Sequence, residues 1–153
     1  MGRARFSFKL LLALVAGFGI GAGLGWINGQ GDQRVSAPPF RISGMVDIRP
    51  ELRARLKPTD VLFIIAAEPG HSRPYAVTRV APVSLPYAYT LGPENRMMAT
   101  AAASGNRFVV SARIDRDGQA NALQPGDLVS QSAAGPVPSP ADSVNVLIDT
   151  AVQ

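Results

Sequence analysis

Residues 61 to 67 read Val-Leu-Phe-Ile-Ile-Ala-Ala, an unbroken apolar run that ends at the turn-forming sequence Glu68-Pro69-Gly70. The run is too short for a buried helix, and it is rich in residues that favour extended backbone. We therefore predict a central β-strand here.

Strand-like patterns lie on both sides of this run. Residues 40–48 largely alternate, with Met45 as the one apolar residue on the otherwise polar parity. Pro86 predicts that the segment around it is an edge strand or contains a bulge, because proline lacks the N–H that a central strand donates. The other predicted strands are residues 74–80, 83–91, 107–114, 119–123 and 143–151.

Turn and loop signals separate these segments. Asp115–Gly118 is typical of a hairpin turn, and Gln124–Asp127 of a second turn. Residues 50–57 favour a short helix, whereas the proline-rich residues 133–142 are predicted to be irregular. About seven short strands at this turn spacing predict an all-β sandwich.

The N-terminal region predicts a membrane anchor. Residues 10–27 carry no charge and no proline, and with flanking aromatic residues they approach the roughly 20 apolar residues that span a bilayer. Three bases precede this run, which places the N-terminus in the cytoplasm by the positive-inside rule. The predicted regions are a cytoplasmic basic tail 1–9, a transmembrane helix 10–27, a linker 28–39 and a periplasmic β-sandwich domain 40–153.

A cleaved signal peptide is the alternative to a retained anchor. Its best cleavage site is Val35-Ser36-Ala37, but Pro38 follows at once, and the apolar run is long for a signal peptide. Both interpretations export the domain, and a single-pass protein of the bacterial inner membrane is the favoured one.

A row of glycines lies within the predicted anchor. Gly17, Gly21 and Gly25 are spaced four residues apart, so they would form a small-residue ridge along one helix face. Such a ridge lets two membrane helices approach closely. The alternative is that glycine is simply frequent in membrane helices.

Charge and cysteine content exclude several classes of function. The chain has 15 Lys or Arg and 11 Asp or Glu, but Arg3, Arg5 and Lys9 lie in the predicted cytoplasmic tail, which leaves 12 bases against 11 acids beyond it. A nearly neutral exported domain has no basic face for nucleic acid. Without cysteine, a disulfide scaffold and thiol–disulfide chemistry are both ruled out.

The inventory of catalytic residues is thin. His71 is the only histidine, and its proline–glycine turn favours a solvated loop residue over a catalytic or ligand role. Met97 and Met98 together with His71 suit copper as ligands, but a blue-copper site also needs a cysteine thiolate, so we favour packing for the methionines. We expect neither an enzyme nor a bound cofactor.

Four side chains are candidates for contact with a partner: Arg113, Asp127, Met97 and Met98. Asp127 is expected to bond backbone amides in its own turn. Arg113 is expected at a strand edge, where it would pair across the sheet.

The order of the motifs from Phe40 onward resembles the C-terminal periplasmic domain of the c-type cytochrome biogenesis proteins called CcmH, CcmI or CycH. Similar pieces are Ile42–Val46, Pro58–Ala67, Gly70–Val77, Val83–Pro86 with Leu91, Met97-Met98, Val110–Ile114 with Gly118, Gln124–Leu128 and Val144–Asp149. The resemblance implies an immunoglobulin-like sandwich. It also implies a role in cytochrome c maturation, in which apocytochrome is presented to the membrane haem-ligation machinery.

Tetratricopeptide repeats usually precede this domain in the family and bind the apocytochrome, but this sequence contains none. We therefore expect a docking or assembly module whose partners are membrane proteins of a cytochrome c biogenesis or respiratory complex, the lipid bilayer and no nucleic acid. An accessory subunit of another bacterial respiratory or transport complex is the alternative.

Overall fold

A computed structural model describes residues 39–98, 103–120 and 122–153. Within these ranges, no helix is long and apolar enough to cross a membrane. The predicted anchor at 10–27, its glycine ridge at Gly17, Gly21 and Gly25, and the basic tail lie outside the described residues.

The described residues form nine short strands, which confirms the prediction of an all-β fold. The strands are β1 Ile42–Ile48, β2 Val61–Ala67, β3 Pro74–Val80, β4 Tyr87–Leu91, β5 Arg107–Asp115, β6 Leu128–Val129, β7 Ala134–Pro138, β8 Val146–Ile148 and β9 Thr150–Ala151. A one-turn helix α1 (Pro50–Arg53) follows β1, and a 3₁₀ turn covers Pro93–Asn95.

The strands divide into two sheets. The small sheet has the order β4-β1-β8, with β4 antiparallel and β8 parallel to β1. The large sheet has the order β3-β2-β5-β6-β9, and β7 also pairs with β5. The apolar run that predicted a central strand is β2, and it lies between β3 and β5 as predicted.

One hydrophobic core joins the two sheets, because alternate side chains of each strand point towards it. Ile42, Val46 and Ile48 of β1 are buried, as are Leu62 and Ile64 of β2. Three aromatic rings close one end of this core. The ring centroid of Phe40 lies 4.9 Å from those of Tyr75 and Phe108, and the centroids of Tyr75 and Phe108 are 5.0 Å apart. Phe40 meets both of the other rings edge to face, which is an arrangement that aromatic pairs prefer.

Strand predictions that depended on local pattern alone were partly wrong. The described residues of 119–123 form no strand, because the carbonyls of Gln119 and Ala122 accept from the Arg113 side chain, at 3.4 and 3.5 Å. The strand that returns is β6, which follows the second turn.

Proline-bearing segments also differ from expectation. Residues 134–138, predicted to be irregular, form β7, where Pro136 and Pro138 are tolerated at an edge because no partner needs their missing N–H on that side. The strand predicted at 83–91 begins only after Pro86, and it is an edge strand as predicted.

The closing strand, predicted as one element at 143–151, is divided between the two sheets. β8 pairs with β1, and β9 pairs with β6. Between them, the Asp149 N–H donates to Val129 O of the large sheet at 3.1 Å, so the chain has already crossed from one sheet to the other.

The small sheet depends on a close approach of two backbones at Gly44. A Cβ at this position would lie 2.8 Å from Val144 N and closer still to the Val144 carbonyl. Val144 N donates to Ser43 O at 3.0 Å, and the Tyr89 hydroxyl donates to Val144 O at 2.7 Å. A glycine is therefore required here, because any side chain would push the start of the closing segment off β1.

Burial raises the pKa of Tyr89 from 10.0 to about 12, which gives a testable pH dependence. Because the folded state holds the proton more tightly, the stabilisation is complete below pH 10 and is lost as the pH rises towards 12. Urea unfolding of residues 36–153, which form a compact unit, should show a loss of about 2 kcal/mol between pH 9 and pH 11.5 from this group. Tyr89→Phe should lack that part of the loss, and an equal loss in both proteins would contradict the assignment.

Candidate functional site

The exposed face of the small sheet carries an apolar groove of about 430 Å³, which we call the small-sheet groove. Met45, Pro86 and Leu147 supply most of its apolar wall, and the remaining lining residues are Asp47, Asn145 and Val146. Met45 is 43% exposed and Leu147 is 47% exposed. Large apolar side chains grouped on one surface mark a site of association more often than single ones do.

Strand register explains why these side chains meet. β1 alternates, so the burial of Val46 and Ile48 turns Met45 and Asp47 outward. On the parallel partner β8, Asp47 pairs with Leu147, which brings the outward Leu147 beside the outward residues of β1. Pro86 immediately precedes β4, which pairs with the other side of β1.

Polar groups lie at both ends of the small-sheet groove. At one end Arg53 Nη2 lies 2.6 Å from Asp47 Oδ1, and Arg53 Nη1 donates to Leu85 O at 3.3 Å. At the other end Asn145 Oδ1 accepts from Met45 N at 3.0 Å. The groove therefore combines an apolar floor with hydrogen-bonding groups at its rim, as partner-binding surfaces commonly do.

Sequence reasoning missed this groove, although one signal was present. Met45 was the single apolar residue among the polar positions of its strand. An apolar side chain on the solvent-exposed face of a strand can indicate a contact surface. Leu147 is likewise exposed between the buried Val146 and Ile148 on its strand. Their proximity could not be predicted, because it depends on the parallel pairing of β1 and β8.

Two of the candidate partner residues, Arg113 and Asp127, are buried within an ion cluster. Arg113 Nη2 lies 3.5 Å from Asp127 Oδ2 and also pairs with Asp115. Arg113 lies on β5 between β2 and β6, so the prediction of a strand-edge position is wrong. Less than a tenth of either residue is exposed, although Arg113 also lines a second open groove of about 380 Å³ beside the exposed Leu123.

Asp127 organises the turn in which it lies, as predicted. Its carboxylate accepts from Gln124 N at 2.9 Å and from Arg116 N at 3.2 Å. Arg116 in turn lies 3.0 Å from the buried carboxylate of Asp60, which accepts from Lys57 N at 2.8 Å. The cluster thereby ties the segment after β5 to the segment before β2, and its charged groups are committed to the fold.

Asp115 shows how the cluster stabilises its carboxylates. Burial alone would raise the pKa of Asp115, but hydrogen bonds with Asp117 and Arg113 and the attraction of the Arg113 charge outweigh burial, so the pKa is lowered. Asp115 Oδ1 also accepts from Gly118 N at 2.8 Å, which shapes the turn predicted at Asp115–Gly118.

Met97 and Met98 lie on the surface after the 3₁₀ turn. They are 59% and 51% exposed. Of the core or loop packing that is favoured over copper ligation, a core position is therefore excluded and a loop position remains. Met97 N donates to Tyr75 O at 3.0 Å, and Arg96 lies over the Tyr75 ring at 5.6 Å. His71 is exposed in the turn between β2 and β3. In the described part of the chain, no three His, Cys, Asp or Glu residues are grouped so that they could hold a metal.

Residues 42–149 match the family model of the cytochrome c-type biogenesis protein H Ig-like domain. The chain belongs to this family. The match covers both sheets, the ion cluster and the small-sheet groove, and it confirms the resemblance drawn from the order of the motifs. Membership connects the chain with the biogenesis of c-type cytochromes.

Among solved structures, the fold is similar to that of an alternative pilotin from the type II secretion system of Vibrio cholerae. The two sequences are 21% identical over 74% of this chain and 96% of that chain, with a TM-score of 0.50. At this identity the similarity concerns the fold alone. No curated protein matches the sequence closely enough to count as a relative.

Proposed function

We propose that the chain is a non-enzymatic docking subunit of c-type cytochrome maturation, anchored in the bacterial inner membrane by residues 10–27 with its Ig-like domain in the periplasm. The observation that carries the docking role is the small-sheet groove on a domain of the cytochrome c biogenesis family. The partner is a protein of the haem-ligation machinery, which the domain binds directly or presents with apocytochrome.

The state of the buried charges supports docking over catalysis. Asp60, Asp115 and Asp127 each pair with an arginine, and all three carboxylates are buried, with at most 2% of each side chain exposed. A working acid–base site needs groups that can reach a substrate. The side chains that do reach the surface of the small sheet are mostly apolar, which suits protein contact.

The size of the groove sets the expected strength of docking. Fully burying one large apolar side chain is worth about 1.5–3 kcal/mol, so completing the burial of the half-exposed Met45 and Leu147 gives about 2 kcal/mol. That is enough for a hot spot but not for a stable complex alone. A membrane anchor would supplement it, because confinement beside a membrane partner raises the effective concentration. The glycine ridge of Gly17, Gly21 and Gly25 would add helix–helix packing to the same association.

A charge placed in the small-sheet groove tests this proposal. Leu147→Asp should reduce co-purification of haem-ligation proteins from detergent-solubilised membranes about tenfold or more, since a carboxylate would be buried without a partner. Leu123→Asp is the matched control, because Leu123 is also exposed but lines a different open groove, of about 380 Å³, on the large sheet.

The outcomes of this experiment separate the two proposed classes of partner. Equal recovery with both variants would contradict docking at the small-sheet groove. Recovery of an intact respiratory or transport complex in place of haem-ligation proteins would favour the accessory-subunit alternative. Leu147→Asp places a carboxylate opposite Asp47 on the neighbouring strand, so it should lower the free energy of unfolding by about 1 kcal/mol. Recovery is therefore compared between variants shown to be folded.

A further inference from the structure

A second exposed apolar feature lies where the described chain enters the domain. Phe40, which precedes β1, packs against Tyr75 at 4.9 Å. Tyr75 in turn accepts a hydrogen bond from Met97 N and lies under Arg96. We call this surface, with the exposed Met97 and Met98 and the half-buried Arg96, the entry end.

We propose that Met97 and Met98 rest in the headgroup region of the membrane that holds the chain, so that the entry end is a lipid-contact surface. This inference rests on the proposed membrane anchor but not on docking at the small-sheet groove. It assigns different occupants to these two surfaces, lipid to the entry end and protein to the small-sheet groove.

The length of chain before Phe40 argues for lipid as the occupant. Residues 28–39 separate the uncharged run from Phe40, and twelve residues cannot span more than about 40 Å. A seven-residue strand such as β1 spans about 23 Å. The tether therefore brings the entry end to the bilayer more readily than the far end of the strands.

The chemistry of the entry end fits an interface between water and lipid. Two adjacent methionines give flexible apolar side chains without a polar atom that must be satisfied. Arg73 and Arg107 are exposed at the same end of β3 and β5. Although Arg107 Nη2 donates to Pro136 O at 2.7 Å, the guanidinium groups here carry further N–H donors that suit phosphate. Glu68, which follows β2, is partly exposed at this end, and its carboxylate accepts from Gly105 N at 3.0 Å and from the Ser104 hydroxyl at 3.3 Å.

The absence of cysteine allows a direct test on the full-length chain. Gly105→Cys puts a labelling site at the entry end, because a Cβ there meets no atom within 4 Å. Leu147→Cys puts the control label in the small-sheet groove. Each protein would carry a polarity-sensitive fluorophore in nanodiscs of phosphatidylcholine and phosphatidylglycerol, with spin-labelled lipid as the quencher.

We expect the Gly105→Cys label to be quenched at least about threefold more than the Leu147→Cys label, because the tether and the methionines favour contact with lipid. Adding Met97→Asp and Met98→Asp should bring the two labels to the same level. Equal quenching in the parent proteins, or quenching of the Gly105→Cys label that survives the double substitution, would overturn the inference.

Co-purification of haem-ligation proteins with the same double variant separates this inference from the proposed function. Normal recovery alongside reduced quenching supports lipid contact. Lost recovery with unchanged quenching assigns the methionines to a protein partner and overturns lipid contact. An unquenched Gly105→Cys label in a chain that still recovers its partners overturns the inference and leaves docking standing.

Discussion

Arg113→Met is expected to lower the free energy of unfolding by about 3–5 kcal/mol, because it leaves two buried carboxylates without their shared cation. Asp115 and Asp127 both pair with Arg113, and each has at most 2% of its side chain exposed. The Arg113 side chain also donates to Gln119 O and Ala122 O, so the segment after β5 should lose its attachment to the sheet.

Urea unfolding of residues 36–153 measures this effect, and the chain supplies a matched control. Arg41 forms an ion pair with Asp142 at 3.0 Å, but their side chains are 47% and 63% exposed. Arg41→Met should therefore cost about 1 kcal/mol or less. Equal losses in the two variants would show that the buried cluster contributes no more than a surface ion pair.

The same variant should change the acid dependence of stability. Because the folded-state pKa of Asp115 is lowered, its ionised form stabilises the fold above the unfolded pKa near 3.8. That stabilisation is lost as the pH falls through the folded pKa. Arg113→Met should reduce this part of the acid sensitivity, whereas Arg41→Met should leave it in place.

Gly44→Ala is expected to lower the free energy of unfolding by about 3 kcal/mol, at the upper end of overpacking effects. The added Cβ would meet backbone atoms of Val144, and backbone cannot rotate aside as a flexible side chain can. Relief requires that Val144 move away from β1, which breaks the bonds that it makes with Ser43 and Tyr89.

Gly105→Ala is the matched control for Gly44→Ala, because a Cβ at Gly105 meets nothing within 4 Å. Its free energy of unfolding should change by less than about 1 kcal/mol. Gly44→Ala should also weaken docking in protein that still folds, since Asn145, Val146 and Leu147 of the groove follow directly after Val144. Wild-type stability in Gly44→Ala would contradict the close approach.

Local pattern predicted the strands that carry a clear apolar run or alternation. The apolar run of β2 and the alternation of β3 and β5 needed no distant information, and these strands pair as a hairpin and its neighbour. The division of the closing segment into β8 and β9 could not be predicted, because β8 pairs with β1 about a hundred residues earlier. Periodicity does not specify which sheet a strand joins.

The contacts within the candidate site also could not be predicted from local pattern. Arg113 and Asp127 attracted attention as polar residues in apolar or turn sequence, but their burial depends on the segment around Gln119 and Ala122 folding over β5. Met45 was recognisable in the sequence as an apolar residue at a position of its strand that otherwise carries polar residues. The register that places Leu147 on the strand beside Met45 could not be predicted from the sequence.

Covalent haem attachment to c-type cytochromes, measured in a strain that lacks the chain, distinguishes a role in cytochrome maturation from other roles of the domain. A maturation role through the small-sheet groove predicts that haem-stained c-type cytochromes are lost in the deletion strain, are restored by the wild-type chain and by Leu123→Asp, and are not restored by Leu147→Asp. Normal haem attachment in the deletion strain would contradict it.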